Sequence, residues 1–473
     1  MSTHWPAPPG PWLARLGALL LAAVPLTAAD AVHAQDMGDM PGMRPAPAAP
    51  APPANPSPAP SPPPATPSAT DGGMTGMDMS GMASGAAMMA GDLGPYPMTR
   101  DGSGTAWQPQ STPMEGLAWQ AGGWSGMAHG YIDLVADHQD GPRGGDENFS
   151  ESMLMIMGQH AAGPGVLTLR SMFSLDPLMG PAGYPLLLQT GETANGVTPL
   201  IDRQHPHNLF MELAGVYAVP VDKTESVFLY VGYPGEPALG PVTFMHRFSG
   251  LDDPAAPITH HWLDSTHITF GVITTGVVMG PWKLESSVFN GREPDQYRWG
   301  FDTLRLDSYS GRISFNPTPD WALQVSYGDL KSPEQLTPNV DQRRTTASAT
   351  YNKPLAHGNW QTTFAWGRDD DQPGATLDGY LLESAFNWKR STIFARAETV
   401  RKNDLFIAPS PFAGEVFGVS EASLGYVYDI PVAKHLALGI GVMGTRNVVP
   451  AIIQGVYGGD PLGFMGFLRL KIL

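Results

Sequence analysis

Between residues 119 and 473 apolar and polar positions alternate with a period of two. Trp321, Leu323, Val325 and Tyr327 share one parity, against Ala322, Gln324, Ser326 and Gly328 on the other. Trp360, Thr362, Phe364 and Trp366 repeat the pattern, as do Tyr380, Leu382, Phe386 and Trp388, and then Leu436, Leu438, Ile440 and Val442. Such alternation is the signature of strands. The runs are about ten residues long, the length a tilted strand needs to cross a bilayer. They fall near 127–136, 150–160, 165–174, 208–219, 224–233, 266–279, 281–290, 304–316, 320–330, 341–353, 358–368, 377–388, 391–401, 418–430, 434–446 and 462–473. Short turns, such as Gly280-Pro281 and Lys389-Arg390, alternate with long connections at 175–207, 234–265, 291–303 and 402–417. Aromatic residues at the ends of the apolar face fit an interfacial girdle. The pattern predicts an all-β fold, an antiparallel transmembrane β-barrel of about sixteen strands over 119–473, with both chain ends at the short-turn side.

The alternation is absent before residue 119. Residues 1–34 carry Arg15, an apolar run from Leu16 to Leu26, and small residues ending Val32-His33-Ala34, which predicts a signal peptide. Residues 35–118 are rich in Pro, Ala and Met and show neither strand nor helix periodicity, so they are expected to be a disordered periplasmic tail.

Composition narrows the chemistry. Formal charge is −17, which argues against a nucleic-acid partner, since phosphate binding needs a cationic face. There is no cysteine, so disulfides, thiolate metal sites and cysteine nucleophiles are excluded. No Gly-x-Ser-x-Gly elbow, His-Glu-x-x-His motif or phosphate loop points to an enzyme.

What remains conspicuous is methionine. In the tail, Met37, Met40 and Met43 precede the prolines, and Met74, Met77, Met79, Met82, Met88 and Met89 follow them. Clustered thioethers suit a soft ion, above all Cu(I), with Asp36, Asp39 and Asp78 able to help with a harder one. In the barrel, lipid-facing Ile132, Leu134, Leu154, Ile156, Leu167 and Leu169 turn the opposite parity inward. That set is Met127, His129, Tyr131 and Asp133, then Glu151, Met153, Met155, Met157 and Gln159, then Thr168, Arg170 and Met172. Cross-strand neighbours on one face lie about 5 Å apart and can share an ion. Methionine as a flexible filler of the lumen is the alternative. Two long connections gather histidines: His205 and His207, His246, then His260, His261 and His267. These fit either a Cu(II), Zn(II) or Ni(II) site or an Arg/Asp/His network that folds a loop into the pore.

On these residues, the region from about 125 to 473 resembles a bacterial porin-type outer-membrane barrel. The strand Phe464–Leu473 is similar to the terminal strand by which the outer-membrane assembly machinery recognises such proteins. The methionine clusters of the tail resemble the N-terminal segments of copper-resistance outer-membrane proteins of the B type. That resemblance implies copper handling, with outer-membrane lipid and periplasmic copper proteins as partners. A porin-like channel for small solutes or cations, and a structural or enzymatic barrel, are the competing functions.

Overall fold

A computed structural model describes residues 89–472. The leader, the segment 35–88 and its Met74, Met77, Met79 and Met82 lie outside the described residues. Sixteen strands form the wall. They are β1 (Trp124–Gln139), β2 (Gly145–Ala162), β3 (Gly165–Phe173), β4 (Phe210–Pro220), β5 (Glu225–Gly232), β6 (Val272–Met279), β7 (Trp282–Phe289) and β8 (Ser308–Phe315). There follow β9 (Trp321–Leu330), β10 (Asp341–Leu355), β11 (Gly358–Gln372), β12 (Thr376–Trp388), β13 (Ser391–Lys402), β14 (Phe417–Ala433), β15 (Leu436–Val448) and β16 (Leu462–Ile472). Consecutive strands pair antiparallel, and β16 closes on β1 with Leu468 opposite Leu134 and Lys471 opposite Tyr131. Below the end of β16, a short strand at Leu117–Ala121 pairs with the start of β1. Closure leaves no unpaired sheet edge, which is the condition for strands to survive in lipid.

The parity read from the sequence is the parity observed. Leu134, Val325, Leu424 and Val442 point outward and are more than half exposed, forming the belt that contacts hydrocarbon. Trp282 stacks on Phe315 at the short-turn end, with Trp321, Trp360 and Trp388 nearby in register, and Tyr309, Tyr327 and Tyr380 mark the other rim. This outward belt makes the protein a membrane-spanning barrel.

Two boundaries differ from the sequence reading. β6 begins at Val272, because Thr266 and His267 are drawn into a turn and Gly271 takes φ +119. β8 begins at Ser308, after Leu306 at φ +53. The alternation of loop lengths is also imperfect. Connections 140–144 and 373–375 are short, because β1, β2 and β11 run on for 16, 18 and 15 residues and close their hairpins beyond the belt.

The larger correction concerns residues 89–118, expected to be part of an extended tail. Residues 89–116 instead form a plug against the inner wall at the short-turn end. Gln159 Nε2 donates to Asp92 Oδ1 at 2.8 Å and Arg170 pairs with Asp92 at 3.2 Å. Ser226 Oγ donates to the Leu93 carbonyl at 2.6 Å, and Lys283 donates to the Thr105 carbonyl. Asn316 and Asn352 donate to the carbonyls of Gln108 and Ser111, both at 2.8 Å. Periodicity missed this segment because its own regular structure is limited to a two-stranded turn at 90–97 and one helical turn at 98–100, and the rest of its order comes from wall contacts. One signal was present. Residues 35–88 contain no aromatic residue, whereas Tyr96 and Trp107 are both buried, edge to face at 5.2 Å.

From the opposite end, two connections fold into the lumen. One, 174–209, carries a two-stranded hairpin of Tyr184–Thr193 and Pro199–Gln204. The other, 233–271, is pinned by Arg247, which bonds Asp264 at 2.6 Å and Glu383 of β12 at 2.7 Å.

Candidate metal-binding lumen

The wall of β1, β2 and β3 carries a row of inward side chains fixed by strand register. His129 stands opposite Met155, and Met155 opposite Met172. One step along, Met127 faces Met157, which faces Arg170, and on the other side Tyr131 faces Met153. Because both neighbours of each strand share its pleat, all point to the lumen. The five wall methionines Met127, Met153, Met155, Met157 and Met172 are buried, each less than a tenth exposed.

The inward loop closes this row. Its turn Phe244–His246 lays His246 against the wall, with Nε2 at 3.3 Å from Met172 Sδ. His129 Nε2 lies at 3.3 Å from Met155 Sδ. The two rings meet edge to face with centroids 5.8 Å apart. Two imidazole–thioether pairs, drawn from four chain positions, therefore lie side by side. A cavity of about 120 Å³ adjoins them, lined also by Met127, Met153 and Met157. The plug contributes Met98 and Met114 to its lining, and the loop contributes Met245. Met89, the first described residue, packs in the same cluster of buried side chains. Sequence reasoning placed the wall methionines together but missed Met98, Met114 and Met245, because their approach depends on where the plug and loop fold.

Burial, and then the nearby His129 and Arg170, push the His246 imidazole down to about 3 from its ordinary 6.5. It is thus neutral at physiological pH, with a ring nitrogen able to ligate. A depressed folded value means the unfolded loop binds the extra proton first. The loop's stability is complete above pH 6.5 and falls as pH drops below it. Each such imidazole removes about 1.4 kcal/mol per pH unit. His205 and His267 are likewise pushed down by burial and by neighbouring histidines, so they add to the slope. Amide protection over 244–267 is expected to fall between pH 6.5 and 4.5 in hydrogen exchange corrected for intrinsic rate. Equal protection at both values would contradict this account.

The remaining histidines form a separate belt nearer the long-loop end. His207 and His267 lie 5.4 Å apart, His267 and His260 5.2 Å, His260 and His261 5.6 Å, and His205 and His261 6.0 Å. The hydrogen-bonded network weighed from the sequence is present. His207 Nδ1 meets Asp176 at 2.8 Å, His260 Nδ1 meets Asp264 at 2.7 Å, and His267 Nδ1 donates to the Asp264 carbonyl at 2.9 Å. Burial alone would raise the Asp264 carboxyl, but Arg247 and His260 outweigh it and hold it far below the usual range. The structure brings His205, His207, His260 and His261 together, and puts His129 and His246 with the methionines instead. These loop histidines are buried in the lumen rather than displayed outside it.

No family model matches the chain, and no curated protein matches it. Solved structures do resemble its fold. An anion-selective porin from Comamonas acidovorans is 12% identical, covering 74% of this chain and 100% of its own, with a TM-score of 0.45. The in-vitro folded outer-membrane protein OmpT of Vibrio cholerae is 7% identical over 75% of this chain and 99% of its own, with a TM-score of 0.43. Salmonella typhi OmpF, in complex with daunomycin, is 9% identical over 75% and 100%, also with a TM-score of 0.43.

Proposed function

We propose that this is an outer-membrane barrel that captures and holds Cu(I) in its lumen, as part of copper sequestration or efflux. The observation that carries the reading is the pairing of His129 with Met155 and of His246 with Met172, both at 3.3 Å, in a buried nest of further thioethers. Thioether and neutral imidazole are donors suited to a soft monovalent ion, and none of the four brings a charge that would favour a hard one. Methionine filling a core needs only apolar neighbours. It does not need two imidazoles aimed at its sulfurs. The chain also leads there directly. Met89, in the same buried cluster as the wall methionines, continues the segment carrying Met74, Met77, Met79, Met82 and Met88, which fits capture on the periplasmic side and delivery to the wall.

The porin-like alternative draws on the barrel architecture, but 89–116 and the two inward connections occupy the lumen, which does not favour general diffusion. The test is a Cu(I) titration of the full-length protein against Met155→Leu/Met172→Leu, and against a form lacking residues 35–88. Leucine keeps the volume and removes the sulfur, so the barrel should fold while Cu(I) affinity of the lumen site falls about tenfold to a hundredfold. Truncation at 88 spares the plug and should lower the number of bound ions without losing the lumen site. Unchanged binding in the leucine variant would remove the copper reading and leave a solute channel as the better account.

A further inference from the structure

The geometry points to a second metal site of different chemistry, a divalent-cation clasp formed by His261, Glu293 and Glu334 from three separate connections at the long-loop end. Ligand atoms of these three residues all lie within 4.8 Å of one another. His261 Nδ1 is 3.5 Å from Glu293 Oε1 and 3.8 Å from Glu334 Oε1, too far for good hydrogen bonds. Both ring nitrogens of His261 and both carboxylate oxygens of Glu293 are buried without a hydrogen-bond partner among the described residues. His261 is 7% exposed and Glu293 6%. Buried polar atoms ordinarily find partners, and the orphaned Nδ1 of His261 beside the orphaned carboxylate of Glu293 implies a group that satisfies them together.

The frame is built in advance. Glu293 N–H donates to the Pro333 carbonyl at 3.0 Å, which ties the connection 290–307 to 331–340 and so fixes one carboxylate relative to the other. His261 enters on a short helical turn, His260–Leu263, of the inward loop. Its ring is confined by the hairpin at Gly191, where φ is +112 and a Cβ would stand 2.5 Å from the imidazole. Nearby Arg344 is already committed, to Asp369 at 2.9 Å and Ser265 at 2.9 Å.

One imidazole and two carboxylates neutralise a 2+ ion and suit a borderline cation such as Zn(II), not the soft ion of the thioether nest. Without a cation the two carboxylates crowd each other. Glu334 is about one-third exposed and gives the route from solvent. An ion held here would tie the loops 233–271, 290–307 and 331–340 into one lid.

The test uses the full-length protein in detergent micelles and Zn(II) alone as probe, with equilibrium dialysis for stoichiometry and affinity. Glu293→Gln/Glu334→Gln is expected to lose one bound Zn(II) per chain, and His261→Gln to weaken that ion about tenfold or more. His138→Ala, which removes an exposed His beside Asp140 and Asp146, should leave the clasp ion in place. Zn(II) should also reduce hydrogen exchange across 331–340 in the parent and not in the double variant. Heat-modifiable gel mobility shows whether each variant keeps a closed barrel. Should a variant fail that criterion, Glu334→Gln alone, at a partly exposed position, carries the measurement. Equal Zn(II) binding in parent and variants, or loss in His138→Ala instead, would overturn the clasp, and neither result bears on Cu(I) binding by the nest.

Discussion

Deletion of residues 89–116 is expected to widen the lumen and raise its conductance while leaving the barrel intact. The plug's contacts with the wall are numerous, yet the charges it touches have further partners in the wall, the weakest case being Lys471, which loses Glu115 at 3.1 Å and keeps Asp429 at 4.0 Å. Arg170 keeps Glu212 at 2.6 Å, and Lys283 and Arg312 keep Glu285 at 2.9 and 2.8 Å. Removing the plug therefore exposes paired ions to water and does not strand a buried charge, which is the situation that destabilises a fold. Sixteen-stranded barrels are wide enough for an aqueous channel once nothing fills them. The connections 174–209 and 233–271 stay in place, so the gain is an increase of severalfold in planar-bilayer step conductance, not the full bore of an empty wall. Met98 and Met114 leave with the plug, so Cu(I) affinity should decline in the same preparation. Conductance equal to the parent's, in a variant that still shows heat-modifiable mobility, would mean the inward loops alone close the lumen.

Replacing Arg247 by alanine is expected to release the inward loop. The guanidinium donates to Glu383 Oε1 at 2.7 Å and Oε2 at 3.3 Å, to Asp264 Oδ2 at 2.6 Å and to the Val242 carbonyl at 2.7 Å, and all of these groups are buried. Without it, Glu383 retains Arg396 at 3.4 Å and the Ser249 hydroxyl at 2.8 Å, and Asp264 retains His260 and the Phe244 N–H. Breaking one side of a buried ionic network in this way costs about 3–5 kcal/mol, against a surface pair's fraction of that. Here the cost falls on loop docking, because β12 is held in the wall by its own ladder with β11 and β13. His246 is adjacent in sequence, so undocking draws its imidazole away from Met172 and opens the thioether nest. The measurements are hydrogen exchange across 242–267, which should lose protection, and Cu(I) affinity, which should fall in parallel. Arg247→Lys keeps a charge but not the forked geometry and should be intermediate. Normal protection in the alanine variant would show that the loop is held by packing instead.

The wall was legible in the chain because it follows from a strictly local rule. With a side-chain period of two and lipid on one side, Leu134 or Val325 can only face outward, and Met155 between Leu154 and Ile156 can only face in. That rule determined the sixteen strands, their parity and the methionine wall of β1 to β3. Register then followed from the short turns, which is why His129, Met155 and Met172 align across three strands. What the local rule did not reach is everything inside. Residues 89–116 have no period, and their position depends on distant partners such as Ser226, Arg312 and Asn352, which only closure of the barrel brings within reach. The same holds for His246, whose place against Met172 depends on Arg247 meeting Glu383, 136 residues away. His261, Glu293 and Glu334 come from three connections whose meeting no spacing foretells. Periodicity encodes which way a residue faces, because that is set by its immediate neighbours and the solvent. Which residues meet across the lumen is set by long-range pairing of charges and hydrogen bonds, and for this protein only the tertiary structure decided it.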